Sequence, residues 1–80
     1  MIGQSSMSSE LVQRCTQAQA EGADFPTVWH TVLKGHDLVG GIPRQRFDGS
    51  RTLLEIPLVT GYCVVYDAET REFRLEFSPA

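Results

Sequence analysis

The sequence predicts an α+β domain: two N-terminal helices followed by a three- to four-stranded antiparallel β-meander, with the helices packed on one face of the sheet. Three observations predict it. Apolar residues recur at helical spacing as far as Leu33, and at strand spacing beyond Arg51. Gly35 and the Gly40-Gly41 pair separate the two regimes. Short turn signals, Asp48-Gly49-Ser50 and Asp67-Ala68-Glu69-Thr70, join the extended segments in succession, as a meander requires.

Residues 1–7 are expected to form a flexible tail, leaving 8–80 as one domain. The first helix should start at Ser8 or Ser9 as N-cap, with Glu10 in the turn where the helix dipole favours an anion. Leu11, Cys15 and Ala18, with Val12 beside them, give it a narrow apolar stripe, and Gly22 should end it. The second helix has the stronger pattern. Asp24 is its N-cap and Pro26 sits in its first turn. Phe25, Val28, Trp29, Val32 and Leu33 then make a broad core-facing stripe, while Lys34 and Gly35 suit its C-terminal end.

Beyond it, Gly40-Gly41 is expected to be a flexible joint. Residues 42–47 can be extended, with Pro43 confining them to an edge. In residues 51–59, Leu54, Ile56 and Leu58 alternate towards one face. Residues 62–66 are rich in β-branched and aromatic types. In the last strand Phe73, Leu75 and Phe77 alternate with Glu72, Arg74 and Glu76, and Pro79 should end it. The stripe of the second helix is expected to pack on Phe73, Leu75 and Phe77, with Trp29 largely buried between.

Composition narrows the function classes. The chain has 80 residues, 41% hydrophobic and 21% charged, an ordinary globular mixture for one small domain with a thin core. The longest apolar run, near Ile56 to Tyr66, contains Pro57 and Gly61 and is too short to cross a bilayer. Met1 to Ser9 has neither the basic nor the apolar part of a secretion signal, so a cytoplasmic protein without membrane attachment is expected. Cys15 and Cys63 are expected to be two small buried thiols.

Net charge is −3, with the positive balance confined to residues 30–51, where Lys34, Arg44, Arg46 and Arg51 outnumber Asp37 and Asp48. An acidic chain with a mildly basic middle is poor material for general nucleic-acid binding. No metal site or cofactor is expected: His30 and His36 stand six apart with Gly35 between them, and no Cys-x-x-Cys occurs. No nucleophile signature or phosphate-binding loop is present.

The one suggestive cluster is Arg44, Arg46 and Arg51. The first two share a face of an extended segment, and the third stands near Arg46 across a turn. Arginine forks bind carboxylates and phosphates, but charged edges also serve to block sheet-to-sheet pairing. The leading expectation is a non-catalytic protein-interaction or homo-oligomerising module of the bacterial accessory type, in its simplest form a homodimer. The alternatives are an anionic-ligand or nucleic-acid binder using the arginine hairpin and, last, a small enzyme using His30 or His36 with Asp37.

Overall fold

A computed structural model describes residues 4–77, with side chains described from Met7. In chain order it contains helix α1 (Gln4–Ala20), helix α2 (Phe25–Val28) running directly into a π-helical turn (Trp29–Leu33), and strands β1 (Arg44–Asp48), β2 (Arg51–Pro57), β3 (Tyr62–Asp67) and β4 (Glu72–Phe77). The strands form one antiparallel sheet in the order β1-β2-β3-β4. The α+β class and the meander are as the sequence predicts, with all four strands present. Pro79 and residues 1–3 of the expected tail lie outside the described residues.

Helix α1 starts at Gln4, not at Ser8 or Ser9. Ser8 is fully buried, and its hydroxyl is hydrogen-bonded to that of Thr60 in the β2–β3 loop, at 3.0 Å. It belongs to the core-facing stripe with Leu11 and Cys15, one turn beyond what apolar periodicity reveals. The C-terminal end is where the sequence places it. Gly22 takes φ 107°, and Ala23 N–H reaches back to Ala18 C=O at 3.1 Å, closing the helix with a left-handed residue.

The second helix begins as expected, with Asp24 Oδ1 accepting the Thr27 N–H at 3.1 Å and Pro26 in the first turn. It then widens. Lys34 N–H donates to Trp29 C=O, five residues back, at 2.6 Å. This extra residue per turn rotates the stripe: Val28 and Leu33, five apart, are fully buried, while Phe25, Trp29 and Val32 are only partly so. Trp29 is therefore less buried than a regular helix would make it.

The packing also differs from expectation. Helix α1, not the second helix, lies along β4 and β3. The second helix packs on α1 and reaches the sheet through Phe25, whose ring is 4.9 Å from Tyr66 and 6.2 Å from Phe73. Of the three alternating residues in β4, Phe73 is buried, Leu75 is partly buried, and Phe77 is 64% exposed, its ring edge-on to Tyr62. Around this face Leu11, Cys15, Val28, Leu33, Ile56, Val64 and Tyr66 form the main core.

The Gly40-Gly41 segment is a packed strap and not a free joint. Val39 bridges Leu58, Gly40 N–H donates to Pro57 C=O at 2.8 Å, and Val59 N–H donates to Leu38 C=O at 2.8 Å. A Cβ on Gly41 would stand 2.9 Å from the Pro57 ring, so close an approach requires glycine.

Candidate functional site

The two hairpins set the faces of the sheet. Asp48-Gly49-Ser50-Arg51 closes with two central residues, of which only Gly49 has positive φ (65°), the pattern of a turn that matches strand twist. Register then places Arg44, Arg46 and Asp48 opposite Glu55, Leu53 and Arg51. All three arginines of the sequence cluster consequently project from the face away from the helices. The β3–β4 hairpin uses a longer loop that ends with Arg71 in the left-handed region, φ 61°. Gln19 of α1 donates a side-chain hydrogen bond to the Arg71 carbonyl and anchors that loop.

Each arginine of the cluster has a carboxylate partner. Arg44 lies 3.8 Å from Glu55. Arg46 donates to Glu55 and, across the sheet, to Glu76 of β4 at 3.3 Å, and Glu76 also accepts from Arg74 Nε at 3.0 Å. Arg51 is 3.2 Å from Asp67, a residue only 1% exposed. Beneath this network Leu53, Cys63 and Val65 form a second, separate cluster of buried side chains. Long side chains laid flat over apolar neighbours exclude water with their stems and keep their charges solvated or paired. The outer face thus has a small core of its own under a lid of ion pairs.

The electrostatics follow. Burial pushes the Glu76 carboxyl up, but hydrogen bonds from Arg74 and Arg46 outweigh it and hold it below the usual carboxylate range. Asp67 is likewise opposed by burial and still lowered, because Oδ1 accepts the N–H groups of Glu69 and Thr70 and Arg51 stands beside it. Its Oδ2 accepts no hydrogen bond and faces the Arg51 guanidinium at 3.2 Å, with the Arg74 charge also favouring the ionised form. Burial raises the Cys63 thiol, helped by Glu55 and Glu76. Burial pushes Cys15 up to about 12. Both cysteines are free thiols.

Glu55, Cys63 and Glu76 bring three ligand-type atoms within 4.8 Å of one another. Their chemistry suits a cation poorly, since Arg44, Arg46 and Arg74 already neutralise the two carboxylates and the thiol is held protonated. An external anion at Arg46 or Arg51 would have to displace Glu55, Glu76 or Asp67. His30 and Asp37 are exposed, and His36 uses Nδ1 to accept the Leu38 N–H at 3.1 Å. Among the described residues no hydrogen bond or ion pair joins His30, His36 and Asp37.

The feature without an intrachain explanation is the β1 side of the molecule. Ile56 of β2 reaches the helical core, but among the described residues no helix packs over β1. Strand β1 is an edge, and on its helix-side face Phe47 is 70% exposed, while Ile42 just before the strand is 73% exposed. Pro43 marks the edge in the sequence, whereas strand alternation shows neither the exposure of Phe47 nor the buried layer under the arginines. The signal for that layer was present: Leu53-Leu54 and Cys63-Val64-Val65-Tyr66 are continuous apolar runs, which mark strands buried on both faces. Comparison with protein-family models, with curated proteins and with solved structures finds no match to this chain.

Proposed function

We propose that the chain is a small non-catalytic interaction module that acts by associating with protein, in its simplest form with a second copy of itself. The observation that carries this is the half-covered sheet: the helices shield β3 and β4, while β1 presents an unpaired edge beside the exposed Phe47 ring. Large exposed aromatic side chains beside an open edge mark sites of association. A domain of this size gains most from burying further area against a partner, and a two-fold dimer is the commonest arrangement.

The arginine hairpin has less support as a ligand site, because Arg46 and Arg51 are engaged by glutamates and Asp67 within the chain. The catalytic reading has less support, because among the described residues no hydrogen bond or ion pair joins a histidine to a carboxylate. Light scattering after size-exclusion chromatography, over a concentration series in the micromolar range, tests the self-association form. The expected result is a mass that rises towards twice that of one chain, and loses that rise in Phe47→Ser. A mass of one chain at every concentration removes self-association, and the interaction reading then requires a different protein.

A further inference from the structure

Resting on that reading, we propose that β1 is the contact, and that it pairs antiparallel with β1 of a second copy about a two-fold axis at Arg46, giving one continuous eight-stranded sheet. The backbone supplies the first argument. A two-residue hairpin turn makes its flanking pair a hydrogen-bonded one, here Asp48 with Arg51. Bonded and non-bonded positions alternate, so Arg46 and Arg44 also turn their N–H and C=O groups inward to β2. The N–H and C=O groups of Gln45 and Phe47 must therefore point outward, where no described residue pairs with them. With the axis at Arg46, Gln45 stands opposite the second copy's Phe47, and these are the two positions with free groups. Four backbone hydrogen bonds form without breaking any within the chain.

Charge supplies the second argument. The same register sets Arg44 opposite the second copy's Asp48, twice over by symmetry. Arg44 is exposed, with only a long 3.8 Å approach to Glu55, and Asp48 is exposed with no ion pair among the described residues. Arg46 faces its own copy across the axis, a like-charge opposition that normally destabilises a strand pair. Here its guanidinium is held over the sheet by Glu55 and Glu76, on the side away from the edge. On the helix-side face, Phe47 lies diagonally across from the second copy's Phe47, within the reach of aromatic side chains. The opposite edge, β4, is flanked by α1 and tied to it through the Gln19 bond to Arg71. No helix obstructs β1.

The test is a charge-reversal cycle read by sedimentation equilibrium. Arg44→Asp and Asp48→Arg each set two like-charge pairs across the axis and are expected to weaken the dimer roughly tenfold. The double variant Arg44→Asp/Asp48→Arg restores the complementary pairs and should recover most of that loss. Gln45→Pro removes an outward N–H that no intrachain bond uses, so it should abolish dimerisation while circular dichroism and the melt remain those of a folded chain. Single reversals that leave the dimer constant unchanged, or a double variant no tighter than the singles, overturn pairing through β1 in this register. The same holds for a folded Gln45→Pro that dimerises normally. In each of these cases a dimeric wild type leaves the interaction reading standing. A wild type that stays monomeric overturns the self-association reading and the strand pairing together.

Discussion

Leu53→Ala tests the small core beneath the outer ion pairs. Simple alternation in β2 puts Leu54 and Ile56 on the core face and Leu53 on the wet one, and an exposed leucine truncated to alanine changes stability by less than about 0.5 kcal/mol. In the structure Leu53 is 0% exposed and packs with Cys63 and Val65 under Arg46, Glu55 and Glu76. Truncating a buried leucine costs about 2–5 kcal/mol, with the larger values where the cavity cannot collapse. The lid here is made of flexible side chains, which can settle into part of the void, so the lower half of that range applies, about 2–3 kcal/mol. Total stability for a domain of this length is about 4–12 kcal/mol, so the loss is a large share of it. For a domain of this size it corresponds to a fall in melting temperature of about 10–20 °C. Urea and thermal melts followed by far-ultraviolet circular dichroism measure both quantities. A change under about 0.5 kcal/mol would refute the second core and leave the arginines as an ordinary solvated edge.

Acid should unfold the domain through Asp67 and Glu76. Both have folded pKa values below their ordinary ones, so the unfolded chain binds protons more readily. Their stabilisation is complete above the ordinary carboxylate pKa and is lost as pH falls through it towards the depressed folded values. Melting temperature should hold steady from neutrality to about pH 5 and drop below about pH 4, with a shallower drop in Asp67→Asn. Neither thiol should react with an aromatic disulfide reagent at neutral pH until denaturant is added, since Cys15 is fully buried with its pKa pushed up to about 12 and Cys63 is raised as well. Trp29→Ala should leave a folded chain, weakened by about 1–3 kcal/mol in a denaturant melt, because the π-turn leaves its ring only partly buried. Gly41→Ala should lower the melting temperature measurably, since its Cβ would meet the Pro57 ring at 2.9 Å.

Much of the fold is legible in the residues because the signals there are local. Asp24 caps a helix through a bond three residues long, Gly22 and Gly35 supply positive φ at helix ends, and Asp48-Gly49-Ser50 closes a hairpin of two central residues. The misreadings are non-local. Ser8 looks like a cap until Thr60, far along the chain, claims its hydroxyl. The five-residue turn at Trp29–Leu33 leaves no trace in apolar spacing, because Val28, Trp29, Val32 and Leu33 fit a regular helix equally well. The arginine cluster shows a similar limit. Sequence spacing places Arg44 and Arg46 on one face, and register adds Arg51 to it, opposite Asp48. Their partners Glu55, Glu76 and Asp67 become visible only when β2, β3 and β4 are set side by side. The exposure of Phe47 depends on where α1 comes to rest, which no pattern within β1 records.

Amide hydrogen exchange at Gln45 and Phe47, followed by nuclear magnetic resonance at increasing protein concentration, tests association through the open edge most directly. In the monomer these two amides face solvent, while those of Arg44, Arg46 and Asp48 are bonded to β2. Association through β1 predicts that protection of Gln45 and Phe47 rises with concentration and saturates with the dimer, while the other three stay protected throughout. Fast exchange at Gln45 and Phe47 at every concentration, including those at which the chain is dimeric, would contradict it.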